Sequence, residues 1–389
     1  MNSGNAKTIC LIVDDLTFRG GAHIATLALA EELVTLGTTV DVATMSDESA
    51  IDSLKGGASG IKRIKPKAGF IGRVLRFVGM SAGGVWPVCQ FEHTGELRRW
   101  LESHDTVCCV SECSPLRWLT ASLGGSCRKV QMIHTDYVGW RQYSPDAHRV
   151  TRMDRFLYSK MDCVAVVGKR NAERMKALLS GLADKIIPFY NIIKDGVKTS
   201  LGGIETECSS GRFKIATIGR PNWGPPKKTE ASIEVAAELK RRGCDFDWIV
   251  YGNGPGDQVS RLKNYARSLC VEDCFRFAGF TQDVGAVLRE ADVMALFSAY
   301  EGCANAVYES LLCGTPVLAT DVGCAREQIA DNITGRVLDM DVHGIADAIE
   351  SLIKDRNIVR QWKKNLAGYE YDNAKALKGL MEVLGVGLK

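Results

Sequence analysis

Glu301 and Glu309 stand eight positions apart in SAYEGCANAVYESLLCGTPVLATD, the stretch from Ser298 to Asp321. It reads as the end of an apolar strand, Glu-Gly, a small-residue loop, a helix, Cys313-Gly314 and a second strand. Asn305 is placed to cap that helix, whose first N–H groups and positive dipole end suit an anionic phosphate. A carboxylate before the helix and another about a turn inside it can accept hydrogen bonds from hydroxyls at two ends of one ligand. The chemistry this pattern points to is a sugar at one end, phosphate in the middle and ribose at the other. Two surface glutamates are the alternative, and the ordered strand, loop and helix around them favour the functional reading.

The elements that must position these residues alternate along the whole chain. TICLIV, a turn with Gly20 and Gly21, HIATLALAEELVTLG and TTVDVATM read as strand, helix, strand, with Gly37 as the helix stop. Further β-like runs follow at TVCCVSE, KVQMIH, DCVAVVG and KIIPFYNII. The polar, Gly- and Ser-rich stretch from Lys194 to Arg212 reads as a linker. A second alternation then runs from FKIATIG through TEASIEVAAELKRRG, DFDWIVYG, QVSRLKNYARSL, FRFAGF, DVGAVLREA and DVMALFS to the Glu309 helix, TPVLATD and HGIADAIESLIKD. The tail from Asn357 to Leu384 reads as helix. The expected class is α/β with two largely parallel sheets.

Composition agrees with that class. Of 389 residues, 46% are hydrophobic and 24% charged, the balance of an ordinary globular chain large enough for two domains. The net charge of +3 gives little support to a nucleic-acid binder. The 14 cysteines sit in apolar runs or helical stretches without a CxxC pair, so reduced, buried thiols of a cytosolic protein are expected. The apolar run before Asp14 is too short for a signal-peptide core, and no run approaches the ~20 residues of a membrane span.

Five motifs in order carry a family resemblance. Gly20-Gly21-Ala22 precedes the first helix, IGRPNWGPPKK carries Arg220 and Lys227, YGNGPG forms a turn, FAGF precedes a short helix, and Glu301 and Glu309 close the set. Together they resemble the retaining glycosyltransferases of family 4, with their E-x7-E signature and two-domain GT-B fold. The resemblance implies two Rossmann-like domains facing across a cleft: residues 1–193 on the acceptor side, 194–212 as linker, 213–365 binding the nucleotide sugar, and 366–389 packing back on the first domain. It also implies transfer of a hexose from a UDP-sugar to a glycan or lipid-linked acceptor in bacterial surface polysaccharide assembly.

Roles follow residue by residue from that resemblance. Arg220 and Lys227 bracket the diphosphate, a planar fork and a point charge facing the departing group. Pro225 and Pro226 lengthen this motif, so Lys228 is the alternative to Lys227. Glu309 holds ribose hydroxyls and Glu301 the donor sugar. Main-chain groups at Asn305, Ala306 and Val307 meet phosphates, and those at Gly252, Phe280 and Thr281 flank the base. Gly20 and Gly21 leave room for diphosphate and acceptor. His134, with Asp136 at a strand end in QMIHTDY, either contacts the reacting sugar or is structural. The front-face displacement attributed to such enzymes needs no protein nucleophile.

Neither a cofactor nor a metal is expected. Asp245-Phe246-Asp247 and Asp339-Met340-Asp341 look like metal motifs, but the first precedes a strand and the resemblance implies no essential ion. Residues 55–78 lie in a stretch with seven basic residues and no acid between Ser53 and Phe91. That segment reads either as a face lying on an anionic membrane from the cytoplasmic side or as a solvated basic face. A dehydrogenase would need GxGxxG at a helix start, which GNGPGD lacks. A non-catalytic sugar-binding protein is the rival from another class, and Arg220, Lys227 and the two glutamates argue against it.

Overall fold

The computed structural model describes residues 7–14, 20–46, 58–64, 94–111, 114–145, 147–193 and 211–387. The chain forms two compact units: Met1–Ile192 with Asp372–Lys389, and Ile193–Tyr371. In the first, β1 (Thr8–Val13), β2 (Thr39–Thr44), β3 (Gly60–Arg63), β4 (Thr106–Cys109), β5 (Arg128–Ile133), β6 (Cys163–Val167) and β7 (Ile186–Phe189) make one sheet in the order β3-β2-β1-β4-β5-β6-β7. Every pairing is parallel. Helices cover both faces, so β4 and β6 are buried throughout and read as unbroken apolar runs instead of alternating. One core cluster joins Cys10, Ile12, Val107 and Cys109 to Leu97, Leu101, Leu116 and Leu119. Another joins Val164 and Val166 to Leu157, Tyr158, Ala172 and Met175.

The second unit repeats the plan. β8 (Phe213–Ile218), β9 (Phe246–Tyr251), β10 (Phe275–Gly279), β11 (Val293–Leu296), β12 (Val317–Thr320) and β13 (Gly335–Leu338) pair in parallel in the order β10-β9-β8-β11-β12-β13. Trp248, Phe213 and Phe246 lie fully buried against helices Thr229–Arg241, Val342–Lys354 and Arg356–Leu366.

The tail departs from the expected continuous helix. It is two helices, Arg356–Leu366 and Asn373–Leu384, because Gly368 takes a left-handed φ of 85° and the residues after it leave the helical path. Tyr371 meets Tyr308 of the second unit at 4.4 Å between ring centroids. The last helix belongs to the first unit: Thr106 Oγ1 donates to the Leu384 carbonyl at 2.8 Å and Arg128 Nε to that of Val383 at 3.0 Å. The chain thus ends in its first unit. Most of the linker and of the basic segment 55–78 lies outside the described residues; within the latter, Lys62 is held 3.5 Å from Glu96. Among the described residues no helix is long and apolar enough to cross a membrane, and the cysteines are free thiols, nearly all out of solvent.

Candidate active site

In an open parallel sheet, ligands bind where the strand order reverses, outside the carboxyl ends. In the second unit that point lies between β8 and β11. β8 leads into Gly219-Arg220 and β11 into the loop holding Glu301, so both predicted charged loops flank it. The backbone crossings there are tight. A Cβ on Gly252, at φ 146°, would lie 2.1 Å from the Gly219 carbonyl oxygen, and one on Gly254 would lie 2.2 Å from that of Pro221. Only glycine lets the β9 loop pass this close to the β8 loop.

The predicted cation and carboxylate meet: Lys227 Nζ lies 2.6 Å from Glu301 Oε1. Ser298 Oγ donates to the same oxygen at 2.7 Å, and Ser298 is fixed by its N–H on Thr320 Oγ1 and by the Thr320 hydroxyl on its carbonyl. Gln328 Nε2 donates to the Ala304 carbonyl and the Cys324 N–H to that of Gly302, which hold the Glu301 loop from β12's side. Lys227, Arg220, Gly219, Thr217 and Phe297 line one small pocket. Of the two candidate lysines, Lys228 is the residue before helix Thr229–Arg241, at a left-handed φ of 41°.

Glu309 sits on the fifth residue of helix Asn305–Leu312, half-buried. Among the described residues its carboxylate accepts no hydrogen bond, and desolvation holds its pKa above the ordinary glutamate value. Such a group is an acceptor without donors. Asn305 does not cap the helix: Ala304 is the residue before the first turn, Asn305 is the first helical residue, and no side chain caps this end. The Val307 N–H donates to the Ala304 carbonyl at 3.0 Å, so it is already spent and does not suit the phosphate role expected of it. At the end of β10, Gly279 takes φ 78°, its carbonyl accepts the Gly252 N–H, and Phe280 is 61% exposed, with Thr281 beside it.

The first unit has its own reversal between β1 and β4. There Val13, Asp14, Ala22, His23, Val110, Ser111, His134 and Thr135 line a pocket of about 230 Å³. His23 Nε2 lies 3.5 Å from Asp14 Oδ1. Neither ring nitrogen of His134 has a partner at hydrogen-bonding geometry. Burial pushes its pKa down to about 4, the nearby Asn191 side chain opposing and His23 adding to the shift. The imidazole is therefore neutral at physiological pH. Gly20 precedes the first helix with ordinary extended φ, and Gly21 is its first residue. Asp136 does not accompany His134 as a functional group: its oxygens take the N–H groups of Val138 and Gly139 and pair with Arg174.

The two acidic motifs have structural partners. Asp245 and Asp247 pair with Arg212, and Asp341 accepts the Gly344 N–H at the start of a helix. Among the described residues no group of three His, Cys, Asp or Glu side chains is arranged to hold a metal. Sequence reasoning passed over Ser298, Thr320 and Gln328, whose types carry no signal until β12 is placed beside β11.

Arg220 and Lys227 follow β8, Glu301 and Glu309 follow β11, and a family match covers this span. Residues 209–368 match the family of glycosyl transferases group 1. All four residues lie in that match. The chain is 25% identical over 253 residues to the 2-deoxystreptamine glucosyltransferase of Streptomyces kanamyceticus, covering 61% of this chain and 64% of that protein. It is 32% identical over 202 residues to the lipopolysaccharide core biosynthesis glycosyltransferase LpsE of Rhizobium meliloti, covering 49% and 56%. The matched region thus spans less than two thirds of each relative. In fold, the chain resembles Anabaena HepE, crystallised with UDP-glucose, at 16% identity and TM-score 0.74 over 97% of this chain and 99% of that one. That likeness establishes two parallel-sheet, Rossmann-like domains of the GT-B class.

Proposed function

We propose that the chain is a retaining glycosyltransferase of family 4 that moves a hexose from a UDP-sugar to a glycan or lipid-linked acceptor in bacterial surface polysaccharide assembly. The observation that carries this reading is the Lys227–Glu301 pair at the switch point of a sheet within the group 1 match. The similarity to LpsE, named for lipopolysaccharide core biosynthesis, supports the setting, and the UDP-glucose of HepE supports the donor.

In this reading, the donor diphosphate takes Lys227 from Glu301 and gains Arg220 as a second cation. The freed Glu301 carboxylate accepts hydroxyls of the hexose, while Glu309 exchanges its partnerless state for ribose hydroxyls. The Asn305–Leu312 helix contributes its positive end, the Ala306 N–H included. Phe280, Thr281 and Gly252 border the base. Residues 1–193 take the acceptor side, with Gly20 and Gly21 leaving backbone room, and residues 213–365 the donor side. A neutral His134 suits a sugar hydroxyl, since it can donate from one nitrogen and accept at the other. In the transfer, the bond from the anomeric carbon to the β-phosphate oxygen breaks and a bond to the acceptor oxygen forms on the same face. The acceptor proton passes to the departing phosphate oxygen. Arg220 and Lys227 stabilise the charge that grows there.

A thermal-shift screen tests the donor class, since a ligand bound only by the native state raises the midpoint by mass action. UDP and one or more UDP-hexoses should raise it. A rise with NAD alone would contradict the proposal.

A further inference from the structure

The segment GRPNWGPPKK, Gly219 to Lys228, carries both cations of the proposed donor site. Two consecutive prolines leave it short of N–H donors, so this part of the loop must be fixed through its carbonyls. Asn222, 9% exposed, does this. Its amide nitrogen donates to the carbonyls of Gly224 at 2.9 Å and Pro225 at 3.0 Å. Its own N–H donates to Thr229 Oγ1 and its carbonyl accepts the Thr229 N–H, each at 3.2 Å, tying both ends of the loop to one residue. The remaining carbonyl, that of Pro226, accepts the Ala299 N–H at 2.7 Å, and Ala299 belongs to the loop that carries Glu301.

Lys227 follows directly on these pinned prolines. Outside them, Trp223 donates its N–H to Gln258 Oε1 and lies 3.8 Å beneath the Arg261 guanidinium, while the Gly224 N–H reaches Glu230. Asn222 holds its amide on the loop at a local cost, because its Oδ1 is buried with no hydrogen-bond partner among the described residues.

We infer that Asn222 is a positioning residue for Lys227: its amide gathers the loop carbonyls so that the lysine's backbone is held at the switch point before the donor arrives, leaving only the ammonium to move from Glu301 to the diphosphate. This rests on the reading that Lys227 meets the donor diphosphate. A preset cation binds a diphosphate without the ordering cost that a free lysine would bear.

The test is calorimetric titration with UDP of the wild-type chain, Asn222→Asp, Lys227→Ala and the double variant, with thermal unfolding of each. Asn222→Asp keeps the shape but turns an oxygen toward two carbonyl oxygens. It should weaken UDP about tenfold. On the Lys227→Ala background the same change should cost less than about twofold, since its target is gone. Asn222→Ser, whose hydroxyl is too short to span both carbonyls, should reproduce the pattern and stands in where the aspartate variant does not fold. UDP binding at the wild-type level by a folded Asn222 variant would overturn the inference, as would an equal loss with and without Lys227. Wild-type UDP affinity in Lys227→Ala is a different failure: it removes the reading of the donor site on which the inference rests.

Discussion

Replacing Glu301 by glutamine should move two observables in opposite directions. The change keeps the side chain's size and leaves an oxygen to accept from Ser298 and Lys227, but removes the charge that Lys227 faces at 2.6 Å. Exposed ion pairs are worth ~0–1 kcal/mol, whereas breaking a buried one costs ~3–5 kcal/mol. With side chains 22% and 17% exposed, this pair falls between those limits. Surrendering Glu301 to a diphosphate thus costs Lys227 about 1–2 kcal/mol, which glutamine largely spares. UDP, which has no hexose to lose contact with, should bind Glu301→Gln about tenfold more tightly. Transfer from a UDP-hexose should fall, because the carboxylate proposed to orient the sugar is gone. Calorimetry with UDP and UDP-release kinetics read the two effects. Parallel loss of UDP affinity and turnover would refute the competition argued here.

In the proposed site Glu309 accepts ribose hydroxyls best as a carboxylate, and its pKa is raised by desolvation. UDP affinity measured against pH should therefore fall on acidification at a higher pH than for a solvated glutamate, and Glu309→Gln should flatten that limb. His134 titrates near 6.5 when unfolded and at about 4 when folded. Between those values the unfolded state binds the extra proton, so stability is gained as pH rises through the window and lost as it falls. The full effect is at most about 3 kcal/mol, and denaturation of His134→Gln across that window should show a flatter profile. Gly252→Ala sets a methyl 2.1 Å from the Gly219 oxygen where 3.0 Å is the floor, and 3.3 Å from the Arg220 nitrogen. The loops must part by about 1 Å, a displacement that costs about a hundredfold in kcat/KM when positioned groups move.

The parts of the fold that could be read from the sequence were those in which local pattern and packing agree. β6 and β9 are apolar runs bounded by turn residues, and the long helices carry regular apolar spacing. β3 and β13 escaped notice because GIKR and GRVL carry charged residues and no apolar run, whereas the equally short β4, β11 and β12 are buried throughout. The break after Leu366 was hidden because the apolar spacing continues across it, while the stop is set by Gly368 and by Tyr371 packing on Tyr308. Asn305 was read as a cap from its type alone, and the loop places the helix start one residue earlier than that reading requires. In the site, the charged residues were legible from their type and context. Their pairing was not, since Lys227 and Glu301 are 74 residues apart and meet only once β8 and β11 are neighbours. Two of the loop supports, Asn222 and Gln328, are neutral amides whose importance comes from which carbonyls they reach.

The most direct test is to follow UDP release when the purified chain is given a panel of UDP-hexoses with and without isolated bacterial surface glycan or lipid-linked sugar. Release should depend on one hexose and on acceptor, and should drop sharply in Glu301→Gln and Lys227→Ala proteins that unfold at the wild-type temperature. Folded protein that turns over no UDP-hexose with any acceptor, or turnover untouched by both substitutions, would contradict the proposed function.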